Sequence, residues 1–387
     1  MSEFPVVAKG EEQEHVGAKG GSAPFWHTVT AGGRRLRLRV KRDAALGGRP
    51  YLWPSVGEYP LYDDFLYHVM LEDEPRNKIF RDAIEARAPH ARVLEVGCGP
   101  DLLWSLYAAE CGARSVRAIE SIPDSARRAT ELAAKKPQFD IEVLSGEATT
   151  VAVPERAGVC VAELVGSIGG AEGMAAVLDD VRERLLTPGA AVIPAVVGTL
   201  AAAVGLQELL EGEFAVDVDF SDYVAEVLAC AGGPFDLRMC VGNVDRSALR
   251  SSEGLVEDLQ LEEGVARFPA VRLDITRPGP VDGLLLWLTM RCTPDGPVLD
   301  SLETVTNWLP VYVPFDAPEP VEAAPGDVLA LECAVRPAAD GLHPEYTFTG
   351  ALVRADGRRM PLSAHSPYAG GPFRASPLHR ALFAEEA

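Results

Sequence analysis

The feature that most constrains the fold is a regular alternation of short apolar runs and helical patterns between residues 91 and 195. The runs RVLEVG, SVRAIE, DIEVLS, GVCVAEL and AAVIP have the length of strands buried in a parallel sheet. The intervening segments LLWSLYAAEC and SIPDSARRATELAAKK have helical patterns, and Pro123 and Asp124 open the second one. Strand–helix alternation predicts an α/β domain with a doubly wound parallel sheet.

The first strand-to-helix turn of this region carries the sequence LEVGCGPDLL, with Glu95 two residues before Gly97 and Gly99. Glycines are needed where the backbone approaches a ligand and turns tightly into a helix. Glu120 ends the next strand, 21 residues after Gly99, where a carboxylate can accept hydrogen bonds from both ribose hydroxyls. The third glycine of the dinucleotide fingerprint is missing, so the pattern favours S-adenosylmethionine, which has no pyrophosphate, over NAD.

The chain changes character after Pro194. Short apolar runs such as VDGLLLWLTMRC and DVLALECAVRP are broken by Gly, Pro and Asp, a pattern typical of antiparallel strands. Upstream, residues 63–87 have a helical pattern, with Pro75 in the first turn of a second helical segment. Residues 34–40, RRLRLRV, alternate like a half-exposed edge strand, an interpretation favoured over a nucleic-acid-binding patch. The predicted fold is a Rossmann-like doubly wound domain followed by an antiparallel β-barrel or sandwich.

These patterns divide the chain into five regions. We expect a disordered tail over 1–22, strands and cofactor-covering helices over 23–90, the Rossmann-like domain over 91–195, a β-barrel substrate domain over 196–356, and a C-terminal tail over 357–387. The barrel region includes a less regular stretch, 206–230, that we expect to form a helical excursion.

Charge and composition limit the partners. The formal net charge of −21 disfavours nucleic acid and anionic membranes and would suit a cationic substrate. The first residues show no export signal, and the seven cysteines have no metal-binding spacing, so we expect a cytoplasmic protein with reduced thiols and no metal. The abundance of Ala, Gly, Pro and Arg suggests a bacterial coding bias.

Two glutamates flank a small, apolar loop in the run AELVGSIGGAEGM. Glu163 ends a strand-like run, and Glu172 begins a helical one. Taken alone, the pair is compatible with two solvated surface charges or with two carboxylates that converge on a cation.

Several segments together resemble the protein arginine methyltransferase family, in consistent order over about residues 59–352. MLEDEPRNKIFRDAI (70–84) resembles the helix that this family folds over its cofactor, and the LEVGCGPDLL region resembles its cofactor core. AELVGSIGGAEGM resembles its two-glutamate loop, and VDGLLLWLTMRC with TNWLPVYVP resembles its barrel strands and its Thr-His-Trp loop. The resemblance implies an S-adenosylmethionine-dependent N-methyltransferase acting on arginine in a protein or peptide, and a homodimer formed through an arm at 206–235.

The resemblance also implies roles for individual residues. Glu163 and Glu172 would hold the substrate guanidinium, with Met70, Met174, Asn307 and Trp308 lining the substrate space. Arg76 would meet the methionine carboxylate of the cofactor, aided by Glu95 and by the backbone at Gly97 and Gly99. Glu120 would bind the ribose, and Glu147 or Thr149 lies near the expected adenine contact.

The chain departs from the family pattern in three places. Pro100 and Asp101 stand where a further glycine is usual, Asn307 replaces the family histidine, and residues 164–171 lack the aromatics that are often found between the two glutamates. The change at Asn307 puts an Asp–His proton relay in doubt. One alternative is therefore a methyltransferase of the same fold acting on a small metabolite or natural-product precursor. Another is a non-catalytic, cofactor-binding scaffold.

Some of these residues also have purely structural interpretations. Met70 and Met174 have the spacing of helix core residues, and Trp308 could belong to the barrel core. Arg76 could form only a surface ion pair with the acidic residues 72–74.

Overall fold

The computed structural model describes residues 23–31, 33–42, 48–55, 64–230, 238–368 and 377–385. The predicted N-terminal tail, residues 1–22, lies outside this described part. The first described elements are three strands and two helices: β1 Phe25–Ala31, β2 Arg34–Lys41, β3 Tyr51–Ser55, α1 Asp64–Glu72 and α2 Glu74–Arg87.

Helices α1 and α2 are separated at Asp73, as the position of Pro75 predicts. Pro75 lies in the first turn of α2, where its missing N–H costs no helical hydrogen bond. The Asp73 carboxylate caps α2 by accepting a hydrogen bond from the Arg76 N–H at 3.1 Å. Phe80 then stacks on Trp104, with ring centroids 4.9 Å apart, so α2 is packed onto the α/β domain.

A five-stranded parallel sheet forms the α/β domain. Its elements are β4 Arg92–Val96, α3 Leu103–Glu110, β5 Ser115–Glu120, α4 Pro123–Ala134, β6 Ile141–Ser145, β7 Ala157–Ala162, α5 Met174–Leu185 and β8 Leu186–Ile193. The strand order is β6-β5-β4-β7-β8, and every pairing in it is parallel. The chain reverses its direction of winding between β4 and β7, and ligands of open α/β sheets bind outside the carboxyl ends of the strands at such a switch point.

The remaining elements belong to a largely antiparallel β domain. They are β9 Val196–Val204, α6 Leu206–Leu209, β10 Val216–Asp217, α7 Ser221–Cys230, β11 Arg238–Gly242, β12 Gly254–Gln260, β13 Val265–Arg267, β14 Val271–Asp274, β15 Gly279–Val281, β16 Gly283–Arg291, β17 Leu299–Asp300, β18 Val311–Pro314, β19 Val321–Ala323, β20 Val328–Pro337, β21 Pro344–Val353, β22 Arg359–Ser366, α8 Pro377–Leu382 and β23 Phe383–Glu385.

Two sheets of this domain enclose a barrel core. The larger sheet runs β1-β2-β10-β3-β11-β18-β16-β9-β12-β13, and the smaller runs β14-β20-β21-β22. Bridges between Ser251 and Ile275 and between Phe315 and Ala364 join the two sheets. Strand β16 is apolar on both faces because Leu284 faces the barrel core while Trp287 faces a second core beneath the N-terminal strands. The predicted fold class is confirmed.

The predicted region boundaries differ from the structure at both ends of the chain. Strands β1–β3 join the sheet of the barrel domain, whereas α1 and α2 cover the α/β domain, so region 23–90 is not one unit. The predicted C-terminal tail is wrong for 359–366, because β22 pairs with β21 along its length. In addition, β23 pairs with β2. Strand β2 buries Leu36, Leu38 and Val40 as its alternation predicts, but it has neighbours on both sides and is not an edge strand.

The expected excursion after β9 is helical in part. It contains α6, β10, a 3-10 turn and α7, and it packs on the N-terminal strands of the same chain, where Phe220 meets Trp53 with ring centroids 4.2 Å apart. The end of the predicted dimerisation arm, residues 231–235, lies outside the described part, and the use of 206–235 as such an arm stays a prediction. No described helix is long and apolar enough to cross a bilayer.

Candidate active site

The turn after β4 lies at the switch point of the parallel sheet. Gly97 and Gly99 have φ angles of 75° and 62°, a left-handed conformation that favours glycine. A Cβ on Gly97 would lie 3.1 Å from the Leu164 side chain, and one on Gly99 would lie 3.2 Å from the Tyr67 ring. The backbone of this turn is therefore covered closely by α1 on one side and by the segment after β7 on the other.

Glu120 lies beside this glycine turn, as predicted. Its carboxylate accepts hydrogen bonds from the N–H groups of Gly99 and Ile122, both at 2.8 Å. Tyr67, a residue that the sequence reasoning did not single out, places its hydroxyl 3.3 Å from Ser125 Oγ at the start of α4. Tyr67 and Glu120 thus stand on either side of Gly99, with the carboxylate at the carboxyl end of β5.

Glu95 has a different place from the one predicted. It is only 1% exposed, and its carboxylate accepts a hydrogen bond from the Ser105 hydroxyl in the first turn of α3. Burial raises the pKa of Glu95 to about 8, although the Ser105 hydroxyl and N–H groups at the start of α3 act in the opposite direction. These contacts assign Glu95 to the buried joint between β4 and α3 rather than to a surface that a cofactor could reach.

The loop after β6 carries the two candidates for the adenine contact. Glu147 is exposed and Thr149 is half-buried. Arg184 of α5, which was also not predicted, donates to the backbone carbonyls of Ala148 and Val151 at 2.6 and 2.8 Å. The loop is therefore fixed through its backbone, with the Glu147 side chain facing solvent.

Arg76 and Glu163, predicted to serve the cofactor and the substrate respectively, form one ion pair. Arg76 Nη2 donates to Glu163 Oε2 at 2.5 Å, with the two side chains 4% and 12% exposed. Arg76 Nη1 donates to the Met70 carbonyl at 3.1 Å and to Asn77 Oδ1 at 2.7 Å. Burial raises the pKa of Glu163, and the positive charge of Arg76 partly opposes that rise.

Asn307 reaches the same cluster from the barrel domain. Its backbone N–H donates to Asp73 Oδ2 at 2.8 Å, so the loop before β18 is tied to the turn that starts α2. The side-chain oxygen of Asn307 is buried without a hydrogen-bond partner in the described part of the chain. A buried acceptor without a partner is costly, so this atom is available to a donor on a bound molecule.

Trp308 and the two methionines have different surroundings. The Trp308 indole N–H donates to the Val165 carbonyl at 2.7 Å, and its ring centroid lies 6.0 Å from the Arg76 guanidinium carbon. Met70 is half-buried beside Arg76. Met174 is fully buried in the core of the α/β domain, which assigns it to packing rather than to the lining of an open substrate space.

The loop between the two glutamates is held from the barrel. The N–H of Gly169 donates to Thr199 Oγ1 at 2.9 Å, and the N–H of Gly170 donates to Glu257 Oε2 at 3.0 Å. Glu172, half-buried, follows two residues after Gly170 and immediately precedes Gly173, the N-cap of α5. The structure therefore collects Arg76, Glu163, Met70, Asn307 and Trp308 in one cluster beside the glycine turn, with Glu172 at the far end of the shared loop.

Known proteins share parts of this sequence. Protein arginine N-methyltransferase PRMT10 of Oryza sativa subsp. japonica is 32% identical over 160 residues, which are 39% of this chain and 42% of that protein. Protein arginine N-methyltransferase 6 of Danio rerio is 30% identical over 149 residues, 36% of this chain and 42% of that protein. The chain thus spans less than half the length of these relatives, and no protein-family model matches it.

Solved structures match over more of the chain. The crystal structure of Arabidopsis thaliana protein arginine methyltransferase 10 superimposes with a TM-score of 0.62 at 16% identity, over 78% of this chain and 97% of that one. The chain has the fold of the protein arginine methyltransferases. A second structure with this fold, the Trypanosoma brucei PRMT1 enzyme–prozyme heterotetrameric complex with AdoHcy, gives a TM-score of 0.61 at 18% identity, again over 78% and 97%.

Proposed function

We propose that this protein is an S-adenosylmethionine-dependent N-methyltransferase that methylates an arginine guanidinium in a protein or peptide. The observation that carries the proposal is the buried ion pair between Arg76 and Glu163. This pair couples the helices over the glycine turn to the loop of the two glutamates, which supports one site for both the cofactor and a cationic substrate. The fold match and the sequence relatives, all named as arginine methyltransferases, support the same activity.

The residues around the glycine turn fit S-adenosylmethionine. Side chains at Gly97 and Gly99 would meet Leu164 and Tyr67, so the glycines let these two neighbours approach the backbone of the turn closely. Glu120 supplies a carboxylate at the end of β5, where a ribose can be bound, and the Arg76 Nε is buried without a hydrogen-bond partner in the described part of the chain. When bound, S-adenosylmethionine supplies an electrophilic methyl group on a sulfonium.

The task of the protein is to hold the nucleophile. A guanidinium is a poor nucleophile because its charge is delocalised and it stays protonated. Paired hydrogen bonds from its N–H groups to Glu163 and Glu172 would draw positive charge toward the gripped nitrogens and leave the third with more lone-pair character. Fixing that nitrogen in line with the methyl group is the main source of rate in such a displacement.

The two carboxylate oxygens of Glu163 have different surroundings. Its Oε2 is used by Arg76, while Oε1 accepts no hydrogen bond from the described part of the chain. Oε1 is thus placed to accept from the substrate, and the raised pKa of Glu163 suits it to take the proton that the methylated nitrogen releases. Asn307 stands where the family has histidine and cannot take that proton, but its buried Oδ1 can accept a hydrogen bond from the guanidinium.

Two substitutions test the proposal. Turnover is measured with methyl-labelled S-adenosylmethionine and an arginine-rich peptide, for the wild type and for Glu163→Gln and Glu172→Gln. We expect each substitution to lower kcat/KM by about 100-fold or more, because an amide cannot pair with a cation as a carboxylate does. Glu183→Gln, on the exposed face of α5, is the matched control. Full turnover by both glutamine variants would contradict the proposal that Glu163 and Glu172 hold the guanidinium.

A small-molecule substrate is the second candidate. The loop over 164–171 carries no aromatic side chain that could grip a peptide, which favours a compact cationic metabolite. The two candidates separate when labelled products formed in a cell extract are divided into protein and small-molecule fractions. Label confined to the small-molecule fraction would select the metabolite.

We also propose that the protein is cytoplasmic, of bacterial origin and a homodimer. The relatives come from plants and a fish and do not support the bacterial origin. The T. brucei neighbour is a heterotetramer, a property of that protein which motivates the oligomer proposal only. Sedimentation of the purified protein tests the dimer, and a single species of about 41 kDa would reject it.

A further inference from the structure

The loop between Glu163 and Glu172 lies flush against the barrel. A Cβ on Gly169 would lie 2.5 Å from Val197 Cγ1, and one on Gly170 would lie 2.6 Å from Glu257 Oε1. A side chain at either position would therefore require the Val197 or Glu257 side chain to shift. Ile168, just before the two glycines, is buried in the barrel core. The centre of the loop is thus packed as part of the barrel rather than as a surface connection.

A buried carboxylate occupies this contact. Glu257, in β12, is 1% exposed and accepts from the Gly170 N–H at 3.0 Å and from the Thr199 hydroxyl at 2.7 Å. The Tyr346 hydroxyl donates to its other oxygen at 2.8 Å. Thr199 in turn accepts from the Gly169 N–H at 2.9 Å. Three donors thus point directly at Glu257, and the Gly169 N–H is linked to it through the Thr199 hydroxyl, so the buried carboxylate is satisfied by hydrogen bonds.

The network joins three parts of the fold. Thr199 and Glu257 come from neighbouring strands of the larger sheet, β9 and β12, and Tyr346 comes from β21 of the smaller sheet. Both sheets of the barrel therefore contribute to the hydrogen-bond network that holds the same two loop amides. Only Ala171 separates Gly170 from Glu172, so the position of the second glutamate follows from where Glu257 holds the loop.

We propose that Glu257 is a positioning residue for methyl transfer, which holds Gly169 and Gly170 through hydrogen bonds and thereby places Glu172 for the substrate guanidinium. This inference rests on the proposed function. Glu257 bonds the backbone N–H of Gly170 directly and that of Gly169 through Thr199, so its effect on Glu172 passes through the loop backbone. The barrel domain then contributes to catalysis as the rigid support of the clamp, in addition to any surface it offers to substrate.

The test uses two variants of different severity and a matched control. Tyr346→Phe removes one donor to Glu257 and keeps the ring, whereas Glu257→Gln replaces an acceptor oxygen by an NH₂ group that cannot accept. Asp327→Asn is the control, because Asp327 is another buried carboxylate of the barrel domain, 5% exposed against 1% for Glu257. Its hydrogen-bond partners are Arg354 and the N–H groups of Ala324 and Ala355, none of which belongs to the loop between Glu163 and Glu172.

Two readouts separate positioning from general stability. The first is hydrogen–deuterium exchange in peptides covering 166–173, which needs no activity. The second is kcat/KM on an arginine-rich peptide, with the Kd of S-adenosylmethionine measured by calorimetry. We expect faster exchange in 166–173 for both loop variants. We also expect kcat/KM to fall by about 10-fold for Tyr346→Phe and about 100-fold for Glu257→Gln, since small misplacements of a clamp cost this much, with the Kd within about 2-fold of wild type.

The possible outcomes distinguish a positioning role of Glu257 from a purely structural one. If Tyr346→Phe and Glu257→Gln lower Tm as Asp327→Asn does but leave loop exchange and kcat/KM unchanged, Glu257 is only structural and the inference is overturned. Where Glu257→Gln does not fold, Tyr346→Phe carries the same decision alone. If the wild type binds S-adenosylmethionine but does not methylate the peptide, the proposed function fails, and the exchange of 166–173 still shows whether Glu257 holds the loop.

Discussion

Arg76 and Glu163 illustrate how residues with separately predicted roles act as one group. Each is the main partner of the other, and both are largely removed from water. Removing one member of a buried pair leaves the other charge uncompensated, which is more damaging than losing a surface pair. The role of Arg76 therefore includes keeping Glu163 ionised.

Arg76→Gln should move the acid limb of the pH–rate profile to higher pH. Burial already raises the pKa of Glu163, and without the opposing charge of Arg76 that pKa rises further. Since the guanidinium needs the carboxylate form, activity is then lost at a higher pH on acidification. The profile of kcat/KM against pH measures this shift. Arg127→Gln, at an exposed ion pair on α4, is the control and should leave the acid limb of the profile unchanged. An unshifted acid limb in Arg76→Gln would contradict the claim that Arg76 keeps Glu163 ionised.

Glu95 should make the folded state less stable as the pH rises. Its pKa is raised from 4.5 to about 8, so the folded state holds a proton that the unfolded state has released. The stability it contributes is complete below pH about 4.5 and is lost as the pH rises toward 8. Urea unfolding between pH 5 and 8 should show a smaller loss of stability in Glu95→Gln than in the wild type. Glu85→Gln, on the exposed face of α2, should keep the wild-type slope, and an equal slope in Glu95→Gln would contradict the assignment.

Alanine substitutions at two glycines with positive φ should distinguish backbone strain from an effect on cofactor binding. Gly99 and Gly112 both have positive φ, but only Gly99 has a neighbour, Tyr67, within reach of a Cβ. Alanine at either position should destabilise the fold by about 1 kcal/mol through left-handed strain. Only Gly99→Ala should also weaken S-adenosylmethionine, by about 10-fold or more, as measured by calorimetry. Equal affinities in the two variants would place the cofactor elsewhere.

The elements that sequence patterns predicted well are those with strong local signals. Strands β4–β8, the break at Asp73 and the turn at Gly97 each follow from a short apolar run, a proline or a glycine. The network at Glu257 has no such signal, because Glu257, next to Asp258 in the strand GLVEDLQ, has the pattern of a solvent-facing residue. Its partners Thr199 and Tyr346 are 58 and 89 residues away along the chain, so only the folded barrel brings them together.

At the scale of the whole molecule, the two ends of the described chain support each other. Strand β23 pairs with β2 at Leu36–Leu38, and Leu378 and Leu382 of α8 are buried in the core beneath the N-terminal strands. Sequence patterns missed this because Leu36 and Leu382 are contributed from opposite ends of the chain. The same topology explains why residues 357–387, although weakly patterned, are not simply a tail.

Truncation after residue 376 should therefore loosen the N-terminal strands without touching the active site. Loss of two buried leucines should cost at least about 2 kcal/mol. The measurement is Tm together with hydrogen exchange of β1 and β2, which should become faster, while kcat/KM at a temperature below the transition stays close to wild type. The matched control, Leu378→Ala in the full chain, should lower the Tm by part of the same amount. Unchanged exchange in β2 would show that the terminal strand adds no support.

The most direct test of the account as a whole is the location of the transferred methyl group. The wild-type protein is incubated with deuterated-methyl S-adenosylmethionine and an arginine-rich peptide, and the product is fragmented by tandem mass spectrometry. The account predicts the label on a guanidino nitrogen of arginine, and its absence with Glu172→Gln. Label on any other atom, or equal label on arginine with Glu172→Gln, would contradict the claim that the two glutamates hold the guanidinium.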